Sequence, residues 1–188
     1  MIMSANVRSG CGTRVRVATL LALAMLCACS RAAPPTDNNA AVEAVSNLTP
    51  LIIETAHGDR RFDVETALTP EQQDKGLMFR RDLADNGGML FPMNPPRTAS
   101  FWMKDTLIPL DMLFIHTDGT IAFLKTNAQP YDRTPVSAGV PVAAVLELRG
   151  GRAAELGIAE GDRVSWGACA IGIVDETGDR GFCPAAPR

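Results

Sequence analysis

Histidine is almost missing from this sequence, with two in 188 residues, and tyrosine occurs once. His57 and His116 both fall at expected turns, far apart along the chain, so no histidine pair offers itself as a metal site. A G-x-S-x-G elbow and a P-loop are also lacking, as is a Cys–His pair in the part of the chain expected to be retained after export. Serine-elbow acyl transfer, nucleotide binding on a P-loop and thiol catalysis are thus without their usual signatures. There is no basic excess either. Eighteen Lys and Arg against 21 Asp and Glu give a net charge of −3, which argues against nucleic acid as a partner, since phosphate binding needs a concentrated basic face. No apolar run reaches the roughly 18 to 20 residues of a membrane-spanning helix, and no internal repeat is present.

What is present starts at the N-terminus. Arg8, Arg14 and Arg16 precede the apolar run "VATLLALAMLCA", from Val17 to Ala28, and small residues follow at once. A basic segment, a short apolar core and a small-residue cut site make an export signal over residues 1–28. The ending "LCACS" resembles the lipobox of bacterial lipoproteins, which implies cleavage before Cys29 and lipid attachment to its sulfur. The alternative is an ordinary signal peptide cut near Ala28 or Ala33. Several acyl chains on Cys29 would hold the protein at a membrane, since each buried methylene contributes about 0.8 kcal/mol. Ser30 in the next position implies, by the same resemblance, the outer membrane, with the protein facing the periplasm.

Losing residues 1–28 removes three Arg and no acid, which takes the net charge from −3 to −6 over 160 residues, the size of one domain. It also removes Cys11 and Cys27. With Cys29 lipidated, Cys169 and Cys183 remain, an even pair in an oxidising compartment. A bridge between them would close a loop of roughly 15 residues, worth about 3 kcal/mol; two free thiols are the alternative. Residues 29–50, small and polar with a Pro pair, read as a tether.

The domain proper is expected over residues 51–167, with a closing extension over 168–188. "LIIETAHGDRRFDVETAL" reads as a hairpin turning at "HGD". Thr69, Pro70 and Gln72 form a capping box with Pro at the first helical position, which predicts a helix from Pro70 to about Met78. "DNGG" then breaks the chain before a strand at "MLFP". "RTASFWM", "DMLFI" and "TIAFLKTN" follow as strands, the last two joined by the tight turn "HTDG". "VAAVLEL" is a further strand, "GRAAELG" a short helix closed by Gly157, and "GDRVSWG" the start of a last strand. Short strands, regular turns and one or two brief helices indicate a mainly β fold, an antiparallel β sandwich or small barrel.

In this order, "GLMFRRDL", "GMLFPM", "FWMKDTLIPLDMLFI", "VLELRGG" and "GIAEGDRV" resemble the family called domain of unknown function 192. The resemblance covers about Leu51 to Trp166. It implies a compact, mainly β domain, often exported, with no established activity. The two-cysteine tail "ACAIGIVDETGDRGFCPAAPR" departs from the family pattern and reads as an added flap.

Chemistry centres on "FWMKDTLIPLDMLFI". Pro109 cannot donate to a sheet ladder, so it separates "FWM" and the polar bend "KDTLIP" from the strand "LDMLFI". Along that strand both faces are apolar, and Asp111 is buried among them. A buried carboxylate needs partners, and the donors within reach in sequence are Arg80, Arg81, Arg97, Lys104 and the amides of the bend. Two readings follow. Asp111 either pins the 104–109 bend, or converges with Trp102, Lys104 and Asp105 in a cleft for a small polar or saccharide-like ligand, or for an envelope protein partner. Phe101 and Met103 share one side of the chain and Trp102 takes the other, which favours an open Trp102. The enzymatic alternative is a hydrolase using Asp105 and Asp111 as acid and base. Met89, Met93, Met103 and Met112 suit a core better than soft-metal ligation, and no metal or other cofactor is expected.

Overall fold

The computed structural model describes residues 48–171, and the export segment, Cys29 and Cys183 lie outside them. β1 (Leu48–Thr55) and β2 (Gly58–Thr66) form the expected hairpin. Gly58 takes a φ of 97°, which a residue without a Cβ adopts freely, and so lets the chain reverse after His57. The register Leu51 opposite Phe62 sends Leu51, Ile53, Phe62 and Val64 to one face, where all four are buried. β1 takes in Leu48, Thr49 and Pro50 ahead of the expected Leu51, because they continue the pairing against Glu65, Val64 and Asp63.

Helix α1 (Pro70–Lys75) carries the capping box read from the sequence: the Thr69 hydroxyl accepts from the Gln72 amide, and Gln72 Oε1 accepts from the Thr69 amide. It stops at Gly76, short of Met78. None of its residues is buried, so its position depends on polar ties. Gln73 supplies two, donating through Nε2 to the carbonyls of Ala67 and Pro92 at 3.2 and 3.0 Å.

β3 (Met89–Thr98), β4 (Leu110–Ile115), β5 (Ile121–Ala128) and β6 (Pro141–Arg149) follow, then helix α2 (Arg152–Leu156), β7 (Arg163–Trp166) and a 3-10 turn (Gly167–Ile171) that packs on β1. This turn takes in the first residues of the expected extension, with Ala170 buried. "RTASFWM" does not form one strand. β3 ends at Thr98, and Phe101 makes a lone bridge with Val136, each donating its amide to the other's carbonyl.

The strands form one sheet in the order β5-β4-β6-β3-β2-β1-β7. The mainly β class with two short helices holds, but the sheet is mixed. β2 and β3 run parallel, because residues 67–88 cross over through α1 instead of turning tightly. The outer strands meet through one bridge, Thr120 with Arg163, flanked by amide bonds from Ile121 to Asp162 and from Val164 to Gly119. That contact curls the sheet without a continuous ladder, so it is not closed.

Both faces are covered, and all six residues of β4 are therefore buried. On the inner face Leu113 and Ile115 pack with Leu51, Ile53, Val64, Leu146 and Leu148. On the outer face Leu110, Met112 and Phe114 pack with Leu77, Phe91, Met103 and Val145, under the segments that cross over the sheet. The outer layer is stiffened by an aromatic series. Phe101 meets Phe91 edge-on at 5.0 Å and Phe114 at 6.0 Å.

Candidate functional site

Asp111 lies on the inner face of β4 and has no exposed surface. Its Oδ1 accepts the amides of Asn127 (2.7 Å) and Gly151 (2.9 Å), and its Oδ2 accepts that of Ala153 (2.7 Å). None of the donors expected for it, neither Lys104, Arg80, Arg81 and Arg97 nor the 104–109 amides, is a partner. Asp111 is instead the cap of α2, supplied from a neighbouring strand. Gly151, at the helix start with a φ of 83°, provides no side chain of its own. Gly150 is needed for a different reason: a Cβ there would stand 2.7 Å from Pro109 Cβ and 2.9 Å from Asn127 Oδ1. Strand β4, the end of β5 and the start of α2 are thus joined at one carboxylate.

Trp102 and Lys104 do come together. They line an outer-face cleft of about 470 Å³ between α1, β3 and the 99–106 segment. Phe91, Met93, Phe101 and Leu77 supply its apolar side, and Lys75 and Arg97 add cations. Trp102 is 48% exposed, with the Lys104 ammonium 5.8 Å from its ring centre. The wall carrying both is held on two sides. The Met103 amide donates to Asp132, and the Phe79 amide donates to the Asp105 carbonyl. Asp105, with a φ of 52°, serves as this backbone link and does not line the cleft. Of the four residues expected to converge, two therefore form the cleft and two build structure.

A fifth residue was not anticipated. Glu147 of β6 lines the cleft, is only 4% exposed, and its side chain has no hydrogen bond or ion pair among the described residues. No fully enclosed side-chain oxygen there lacks a partner, so the Glu147 carboxyl opens onto the cleft. Its ladder neighbours are Met89 and Met112. Loss of water around the ionised form pushes its pKa up from 4.5 to about 8. The sequence did hold a signal, since "VAAVLEL" has one acid among six apolar residues in a strand whose two faces both had to be covered. A second cleft, of about 460 Å³, lies by Phe79 and Met78, and its Arg80 is committed to Glu65.

The family model for DUF192, described as an uncharacterized ACR, matches residues 52–166. The chain belongs to this family. Two solved structures to which this chain is similar bear on the fold. One is a protein of unknown function from Novosphingobium aromaticivorans DSM 12444, 47% identical, covering 62% of this chain and 84% of its own, with a TM-score of 0.61. The other is a candidate transcription regulator from Sinorhizobium meliloti 1021, 42% identical, covering 62% and 92%, with a TM-score of 0.60. No curated protein matches the chain. Both DUF192 clefts, and the Asp111 junction, fall within the matched residues.

Proposed function

We propose that this DUF192 domain is the ligand-binding part of an exported lipoprotein, tethered through Cys29 at the outer membrane and taking a small polar ligand in the cleft of Trp102 and Lys104. The observation that carries the reading is the meeting, in one open cleft, of an exposed indole, three cations and a buried acid whose side chain has no partner among the described residues. Buried polar groups are normally satisfied internally, and a few polar groups set in an apolar wall are what small-molecule sites contain. The cleft volume is also within the usual range for such sites, roughly 300–1,000 Å³. Export and anchoring rest on the basic, apolar and "LCACS" segments of the N-terminus. Hydrolysis by Asp105 and Asp111 gains no support from the geometry, because both oxygens of Asp111 are bound by amides on the opposite face of the sheet.

Tryptophan fluorescence tests the reading. Trp166 is 7% exposed and Trp102 is open, so a ligand entering this cleft changes the Trp102 emission. A panel of neutral sugars, uronic acids and amino sugars is expected to yield a saturable change with at least one member, lost in Trp102→Ala and weakened in Lys104→Ala. Saturable binding that survives both substitutions unchanged would put the ligand elsewhere and overturn the proposal.

A further inference from the structure

The chemistry of the cleft narrows the ligand. Glu147 is deep, and its ladder neighbours are Met89 and Met112, neither of which ionises. The charged groups around it are few. Asp74 and Lys75 come from α1, Arg97 from β3 and Lys104 from the 99–106 segment, and none forms an ion pair with it. Arg149, two residues along on its own strand, is engaged by Asp85 and Glu155. Asp111 of β4 faces the other side of the sheet, and Arg80 is held by Glu65. A carboxyl held largely out of water and without a cation beside it favours its protonated form, in which it donates one hydrogen bond and accepts others. The rim has the opposite need. Three cations against Asp74 leave an excess of positive charge around the mouth, which repels amines and draws anions. The Trp102 indole, an apolar face with polar surroundings, lines the same cleft.

On the reading that this cleft binds a ligand, we propose that the ligand is an acidic carbohydrate. Its anionic group meets the Lys75, Arg97 and Lys104 rim, its ring lies against Trp102, and a hydroxyl oxygen accepts a hydrogen bond from protonated Glu147. An inorganic anion would satisfy the rim alone. A neutral sugar would satisfy Trp102 and the floor and leave the rim cations without a partner.

The consequence is a pH dependence set by Glu147. A uronate stays anionic over this range, so a change of binding between pH 6 and pH 9 that Glu147→Gln abolishes reports the floor. The experiment titrates the full chain with galacturonate, galactose and inorganic phosphate at both pH values, by calorimetry and by ligand-observed NMR. Galacturonate is expected to bind at pH 6 at least tenfold more tightly than galactose or phosphate, and to lose about tenfold at pH 9. Glu147→Gln, whose amide donates at every pH, is expected to bind galacturonate equally at both. The ¹³C resonance of the Glu147 carboxyl is expected to titrate near 8, an outcome that needs no ligand.

Galacturonate binding that is lost in Trp102→Ala but is the same at pH 6 and pH 9, in wild type and Glu147→Gln alike, overturns the role of Glu147 and leaves the cleft standing. No galacturonate binding at pH 6, or equal affinity for galactose, overturns the ligand class. Binding untouched by Trp102→Ala and Lys104→Ala overturns the cleft reading itself.

Discussion

Asp111→Asn and Asp111→Ala probe the junction that positions α2, and the two differ in a way the geometry specifies. In the wild type three backbone amides donate to one carboxylate at 2.7–2.9 Å. Hydrogen bonds to a charged group contribute about 1.5–3 kcal/mol each, and a buried amide left without a partner costs about 1–3 kcal/mol. Asn can keep its carbonyl oxygen where Oδ1 stands, between the Asn127 and Gly151 amides. Its NH₂ then faces the Ala153 amide, donor against donor. One bond is lost outright and two lose their charge, for an expected destabilisation of about 3 kcal/mol. Ala orphans all three amides and leaves a void, and about 5 kcal/mol is expected, a large part of the roughly 5–15 kcal/mol that stabilises a typical domain. Urea denaturation followed by circular dichroism measures both, with an unchanged m-value required before midpoints are compared. Asp111→Asn should unfold at clearly lower urea while its folded form retains cleft binding, because the cleft lies across the sheet. A loss below about 1 kcal/mol in Asp111→Ala would refute the claim that this carboxylate holds the β4, β5 and α2 ends together.

Glu147 carries a stability signature of the opposite kind. Its folded pKa of about 8 stands above its ordinary 4.5, so the folded state holds a proton that the unfolded chain has released. Its contribution is complete below pH 4.5 and is lost as pH rises through 8; the interval corresponds to at most about 5 kcal/mol. Stability measured from pH 5 to pH 9 should fall less steeply in Glu147→Gln than in wild type, and parallel curves would count against the raised pKa. Gly150→Ala places a Cβ 2.7 Å from Pro109 Cβ and 2.9 Å from a backbone carbon, which should lower stability by about 1–3 kcal/mol in the same urea assay. For the anchor, Cys29→Ser should move the protein from the membrane to the soluble fraction, and a mutant that stays with membranes would exclude lipid attachment at Cys29. Thiol titration of the denatured, unreduced mature protein should find neither Cys169 nor Cys183 reactive if the pair is bridged.

The parts of this fold that depend on neighbours along the chain are legible in the amino-acid sequence. Thr69, Pro70 and Gln72 announce the start of α1, Asp118 and Gly119 the β4–β5 turn, and Gly157, with a φ of 69°, the end of α2. Pro109 marks where β4 can begin. The alternation of Phe101, Trp102 and Met103 also holds, with Met103 buried and Trp102 open, although the segment is not a strand. Each of these is decided within a few residues, by backbone conformation or by the presence of an amide donor.

The sequence by itself determined most of the strands and turns, the family, the export and anchoring expectation, and the fact that Asp111 needed buried partners. Tertiary structure alone decided who those partners are, since they lie 16, 40 and 42 residues away. The donors near in sequence are the amides of the bend and charged side chains, which can remain in water, whereas the Ala153 amide near the start of α2 is buried with the carboxylate. The same holds for the cleft. Lys104 and Trp102 are close in the chain, but the acid that faces them is Glu147, brought under them because β6 lies between β3 and β4 in the sheet. Strand order is a long-range choice, fixed by which faces can be buried together, and no local pattern encodes it.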